Sequence, residues 1–115
     1  METNYYANLC LRDEAIVQVL LSTGCQIQEV CEINAGDIDL EKCEGTIQSK
    51  EKSRKIFFPM HVAEILKEYL INHPTNQDAL FLSEAGNRIT AIDLNEIIQK
   101  LYIASNYLTP KINYQ

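Results

Sequence analysis

The sequence predicts an α+β fold, mostly helical, with a small antiparallel β-hairpin packed on helices. Three stretches place apolar residues at helical spacing, and one pair of short β-branched and aromatic segments flanks a basic turn. Read along the chain, the order is helix, helix, hairpin, helix, helix. Residues 1–115 read as one domain, with 1–10 as an N-terminal extension. A chain of this length buries roughly two-thirds of the surface that it exposes when unfolded, enough for a core.

The first element runs from Leu11 to Thr23. It is almost continuously apolar after Glu14, and Asp13 and Glu14 in its first turn favour the helix dipole. Gly24 stops it. Ile27, Val30 and Cys31 then repeat at helical spacing, giving a short second helix that ends near Asn34. Ala35 to Asp39, with Gly36 and two Asp residues, reads as a loop. Gly45 to Ser49 and Lys55 to Pro59 form the hairpin around the turn Lys50 to Arg54. Beyond Pro59, Val62, Ile65, Leu66, Tyr69 and Leu70 line one face of an amphipathic helix, which Pro74 cannot continue. A short apolar run, Ala79 to Leu82, and a turn at Glu84 to Arg88 follow. Thr90 and Asp93 stand at capping-box spacing before Leu94, Ile97, Ile98, Leu101 and Tyr102, which predicts a last long helix ending near Asn106.

Composition narrows the function classes. Hydrophobic residues make up 46% and charged residues 23%, as in an ordinary globular protein. No apolar run reaches the roughly 18 residues of a membrane span, and the N-terminus has no signal-peptide pattern, so a cytoplasmic location is expected. Cys10, Cys25, Cys31 and Cys43 form no CxxC and have no zinc-finger histidine, so free thiols are expected, the first three among apolar residues. His61 and His73, beside Pro59 and Pro74, have no nucleophile or carboxylate at motif spacing. Asp37 and Asp39 read as turn residues rather than a metal site. The net charge of -6 disfavours unaided DNA binding, except that Lys50, Lys52, Arg54 and Lys55 gather four of the ten basic residues within six positions.

Several local strings, in order, resemble the catalytic domain of the tyrosine recombinases, the phage-integrase family. The apolar helix ends in Thr23-Gly24, with Ile27, Glu29 and Val30 placed as in a TGxRxxEL pattern. Gly36-Asp37-Ile38-Asp39 is similar to the family's D-I-D-like loop, the hairpin turn is Lys-rich and leads to Pro59, and Leu80-Phe81-Leu82-Ser83 is similar to its next strand-like segment. The resemblance covers residues 11 to 110.

That resemblance implies a set of site residues. The family's first arginine, a paired donor to the scissile phosphate, corresponds to Gln26, which brings no charge. Its hairpin lysine, a general acid for the leaving oxygen, corresponds to Lys50, with Lys52 as runner-up. Glu29 takes a structural or supporting place by this resemblance, and read from the residues alone it is equally an exposed helix acid. Where the family continues T-P-H-x-x-R, the chain reads Thr109-Pro110-Lys111-Ile112-Asn113-Tyr114, so Lys111 stands at the His position and Tyr114 at the Arg position. Tyr114 is therefore not the nucleophile, and Tyr69 and Tyr102 fall on apolar helix faces. Read from the residues alone, Gln26 is a solvated helix-start residue and Lys50 to Lys55 a soluble hairpin tip.

Two functions follow. One is a degenerate or truncated integrase-like domain, not an enzyme as the chain stands, that binds DNA weakly through Lys50, Lys52, Arg54 and Lys55. The other is an interaction module that pairs with a recombinase or with itself. Neither implies a cofactor, a metal, a membrane or a small-molecule substrate.

Overall fold

The computed structural model describes residues 2–108, with side chains from 9 to 101. Helix α1, Glu2–Thr23, runs through the middle and packs against α3, Met60–Ile71. Ala15, Ile16 and Val19 on α1 and Val62 and Leu66 on α3 are fully or almost fully buried. The helix begins at Glu2 rather than at Leu11, because no Pro or Gly interrupts residues 2–10. It ends where expected. Gly24 adopts φ +70, and its N–H donates to the Leu20 carbonyl at 3.0 Å, a left-handed stop that a Cβ would strain.

Helix α2, Ile27–Glu32, buries Val30 and Cys31 and packs on α4, Ala91–Leu108. The segment expected to be a plain loop differs. A single 3-10 turn, Ala35–Asp37, leads into a two-residue strand β1, Ile38–Asp39, so the hairpin gains a third strand. β1 pairs antiparallel with β2, Glu44–Ile47, with Ile38 opposite Gly45. A Cβ on Gly45 would lie 2.9 Å from the end of the Ile38 side chain, so the glycine leaves room for that pairing.

β2 pairs with β3, Arg54–Phe57, in the register Glu44–Phe57, Gly45–Ile56, Thr46–Lys55 and Ile47–Arg54. Side chains alternate across the pleat. Gly45, Ile47 and Ile56 turn inward and are buried, while Thr46, Lys55 and Phe57 share the outer face. Arg54 is opposite Ile47 and two residues before Ile56, so it stands on the inward face, at its open end.

Residues 79–82 are buried and strand-like without forming a strand. The Leu80 N–H donates to the Ile33 carbonyl at 2.9 Å, and the Ile89 N–H to the Phe81 carbonyl at 3.0 Å. At the start of α4 the Thr90 N–H donates to Asp93 at 3.2 Å and the Asp93 N–H to Thr90 Oγ1 at 3.1 Å, the expected reciprocal cap. The helix continues to Leu108, two residues past the expected end.

Two arginines that no local pattern marks hold these layers together. Arg12 is buried; it pairs with Asp13 and donates from Nη1 to the Leu82 carbonyl at 2.9 Å. The Leu82 N–H donates to the hydroxyl of buried Tyr69 at 3.3 Å, so both backbone groups of Leu82 are satisfied. Burial pushes the Tyr69 hydroxyl up, as for a core tyrosine. Arg88 donates from Nη1 to the carbonyls of Cys31 and Ile33 at 3.1 and 3.2 Å, closing the end of α2. All four cysteines are free. Cys25 and Cys31 are buried, Cys43 is half-buried, and Cys10 is exposed instead of lying among apolar residues.

Candidate nucleic-acid interface

Thr23 and Gly24 shape the chain just before the position of interest. Thr23 Oγ1 donates back to the Val19 carbonyl at 2.6 Å and accepts the Cys25 N–H at 3.2 Å. With Gly24 in the left-handed region, the backbone turns sharply and presents Gln26, exposed, at the start of α2. The Gln26 N–H would be an orphan donor there, and it donates to Glu29 Oε1 at 2.9 Å.

That carboxylate is shared. Arg54 Nη2 donates to the same Oε1 at 3.0 Å, and Arg54 Nη1 to Oε2 at 2.5 Å, a two-pronged pair between β3 and α2. The Arg54 guanidinium and, next, the Gln26 N–H pull the Glu29 carboxyl down to about 2. Arg54 itself is pushed up by the same bond. Arg54 Nη2 also points at Cys25 Sγ, 3.9 Å away. Glu29, read from sequence as a supporting residue or a plain surface acid, is thus the link between hairpin and helix. The four basic residues do not form one patch. Lys55, on the outer face, pairs with Glu44 at 2.6 Å, which raises its own proton affinity. Lys50 and Lys52 stand exposed on the turn and form no ion pair among the described residues.

The hairpin therefore lies beside the helix that carries Gln26, as the resemblance requires. Asp37 and Asp39 act as turn acceptors: Asp37 takes the Asn34 N–H at 3.0 Å and Asp39 the Lys42 N–H at 3.1 Å. His61 is exposed at the start of α3, and His73 fits between the carbonyls of Pro74 and Ala79, 3.0 and 2.8 Å from its ring nitrogens. Lys111 and Tyr114 lie outside the described residues.

A helical layer with a three-stranded antiparallel sheet, a Thr-Gly bend and a lysine-bearing hairpin beside it defines the recombinase catalytic-domain class. The phage integrase family matches residues 1–112, and the chain belongs to that family. It is 30% identical over 100 residues to tyrosine recombinase XerC of Bacillus subtilis (strain 168), covering 79% of the chain and 33% of that protein. A tyrosine recombinase of Agathobacter rectalis is 32% identical over 120 residues, covering 95% of the chain and 38% of the relative. Among solved structures, XerA recombinase superposes with a TM-score of 0.73 at 29% identity, over 79% of the chain and 34% of XerA. The Tn1549 transposon integrase in complex with circular intermediate DNA shares the fold, with a TM-score of 0.72 at 19% identity, over 88% of the chain and 41% of the integrase. The chain spans about a third of the length of the recombinases that it matches.

These findings correct the expectation that the chain is not an enzyme. Its relatives are tyrosine recombinases, which are enzymes, and the family points to one. Gln26 is a departure at one position and does not define the class. Among the described residues no helix is long and apolar enough to cross a membrane.

Proposed function

We propose that the chain acts in DNA strand exchange by gripping a phosphodiester between the hairpin turn and the start of α2. Lys50 is the proton donor to the leaving oxygen, and Lys52 is a second phosphate contact. The observation that carries this reading is the pair of exposed lysines, without an ion pair among the described residues, on a hairpin fastened by Arg54 and Glu29 to the helix bearing Gln26. An exposed lysine on a flexible stem presents three rotatable donors, which suits a group that follows a moving oxygen. Lys55, already paired to Glu44, contributes less.

Binding to duplex DNA across a salt series tests this. Each phosphate contact contributes about 0.9 to the slope of log K against log salt. Lys50→Ala and Lys52→Ala should each lower that slope by about this amount, and Lys55→Ala by much less. A slope indifferent to Lys50 and Lys52 would remove the assignment. The acidic balance of the chain, -6, predicts binding that is measurable at low salt only.

A second reading has its own support. Met60, 68% exposed, lines a shallow groove with Leu40, Cys43 and Ala63, rimmed by Glu41, Glu64 and Lys67, and Phe57 is a second large apolar side chain left 63% exposed. Such an apolar surface suits self-association or pairing with a recombinase. Sedimentation over a wide concentration range checks it: Phe57→Ser with Met60→Ser should dissociate any dimer, and a monomer throughout would count against it.

A further inference from the structure

We infer that Arg54 supplies, from β3, the phosphate-binding guanidinium that position 26 lacks. The inference rests on the proposed phosphate-binding role of the hairpin and deepens it. Glu29 Oε1 accepts from both the Gln26 N–H and Arg54 Nη2, at 2.9 and 3.0 Å, so the Arg54 guanidinium lies within two hydrogen-bond lengths of the Gln26 backbone. Pleat alternation makes this placement obligatory: Arg54 shares the inward face with Ile47 and Ile56, while Lys55 is turned away to Glu44.

The donor inventory leaves room for a ligand. A guanidinium has five N–H groups. Glu29 takes two, through Nη1 and Nη2, and a third rests against the weak acceptor Cys25 Sγ at 3.9 Å. The Nε–H makes no hydrogen bond among the described residues and lies on the same edge of the guanidinium as the Nη2–H aimed at Cys25. That edge is a fork of the kind that takes two oxygens of a phosphate. The Arg54 side chain is 48% exposed, and a phosphate that takes this fork displaces only the weak contact to Cys25 Sγ. In this arrangement Glu29 is the positioning residue: it orients the guanidinium and offsets part of its charge.

A merely structural clip makes a different prediction, because it is spoiled equally by removing either partner. Binding of a DNA duplex to the full chain, across a salt series, separates the two. Arg54→Ala should lower the salt slope by about 0.9 and weaken low-salt binding about tenfold. Glu29→Gln should keep the slope and tighten binding severalfold, because it removes a negative charge beside the phosphate. Adding Gln26→Arg to Arg54→Ala should restore the slope. Arg54→Ala with Glu29→Ala, which leaves no unpaired charge, should lose as much slope as Arg54→Ala alone and covers the case in which the single variant fails to fold. Equal weakening by Arg54→Ala and Glu29→Gln would overturn the inference. A slope that drops with Lys50→Ala and not with Arg54→Ala would overturn it too, leaving the hairpin role intact. A slope unmoved by Lys50→Ala, Lys52→Ala and Arg54→Ala alike would overturn both.

Discussion

Replacing Glu29 by Gln keeps the shape of the side chain and removes the charge on which the hairpin clip depends. In the folded chain the carboxyl is held at about 2 against an ordinary 4.5, first by the Arg54 bond and then by the Gln26 N–H. Each unit of such a shift corresponds to about 1.4 kcal/mol, which sets a ceiling of about 3 kcal/mol. The pair is at the surface, with Arg54 48% and Glu29 24% exposed, and solvent screening brings the contribution down to about 1 kcal/mol. The depressed carboxyl decides the sign. The unfolded chain takes up this proton first as pH falls, so the contribution is complete above about pH 5 and is lost as pH drops toward 2. Urea midpoints of both proteins, measured from pH 7 to pH 2, should therefore start about 1 kcal/mol apart and converge at the acid end. Comparing the two proteins cancels the other carboxylates, which titrate in both. A gap that is the same at pH 2.5 as at pH 7, or no gap at pH 7, would refute the reasoning.

Three further outcomes follow from the framework around the site. Gly24→Ala forces a Cβ into φ +70 and should cost about 1–2 kcal/mol, read as a lower urea midpoint with an unchanged m-value. Arg12→Met leaves the Leu82 carbonyl without its donor inside the core and should cost about 2–3 kcal/mol, with Arg12→Lys restoring part of it in the same assay. Thr90→Ala removes the hydroxyl that accepts the Asp93 N–H and should cost about 1 kcal/mol, seen as a lower thermal midpoint by circular dichroism.

What was legible in the sequence follows from the range of the forces involved. Helices α3 and α4 and the Thr90–Asp93 cap are written in spacings of three and four residues, and the structure places them within a residue or two of expectation. β1 carries no such signature: two residues cannot show alternation, and their strand state depends on pairing with Gly45. Arg12 and Arg88 act across 70 and more than 50 residues, and nothing near them in the chain foretells the carbonyls they reach. The hairpin lies between these cases. Its existence was legible, and so in principle was the facing of its charges, because burial of Ile56 sends Arg54 inward and Lys55 outward. The alternation sends Arg54 and Lys55, adjacent in the chain, to opposite faces of the sheet.

The same point governs how the departure at Gln26 is to be weighed. A phosphate recognises positive charge at a place, and the backbone that delivers it is immaterial. A motif records only what one segment contributes, so a neutral residue in that segment registers as a loss. Here a strand some thirty positions downstream crosses the same spot, and a single carboxylate bonds its guanidinium and the neutral residue's N–H through one oxygen. Whether a substituted motif position has lost its chemistry is therefore decided by what the neighbouring strand places within reach of it, and for Gln26 that neighbour is a half-exposed arginine whose donors beyond Glu29 meet only the weak acceptor Cys25 Sγ.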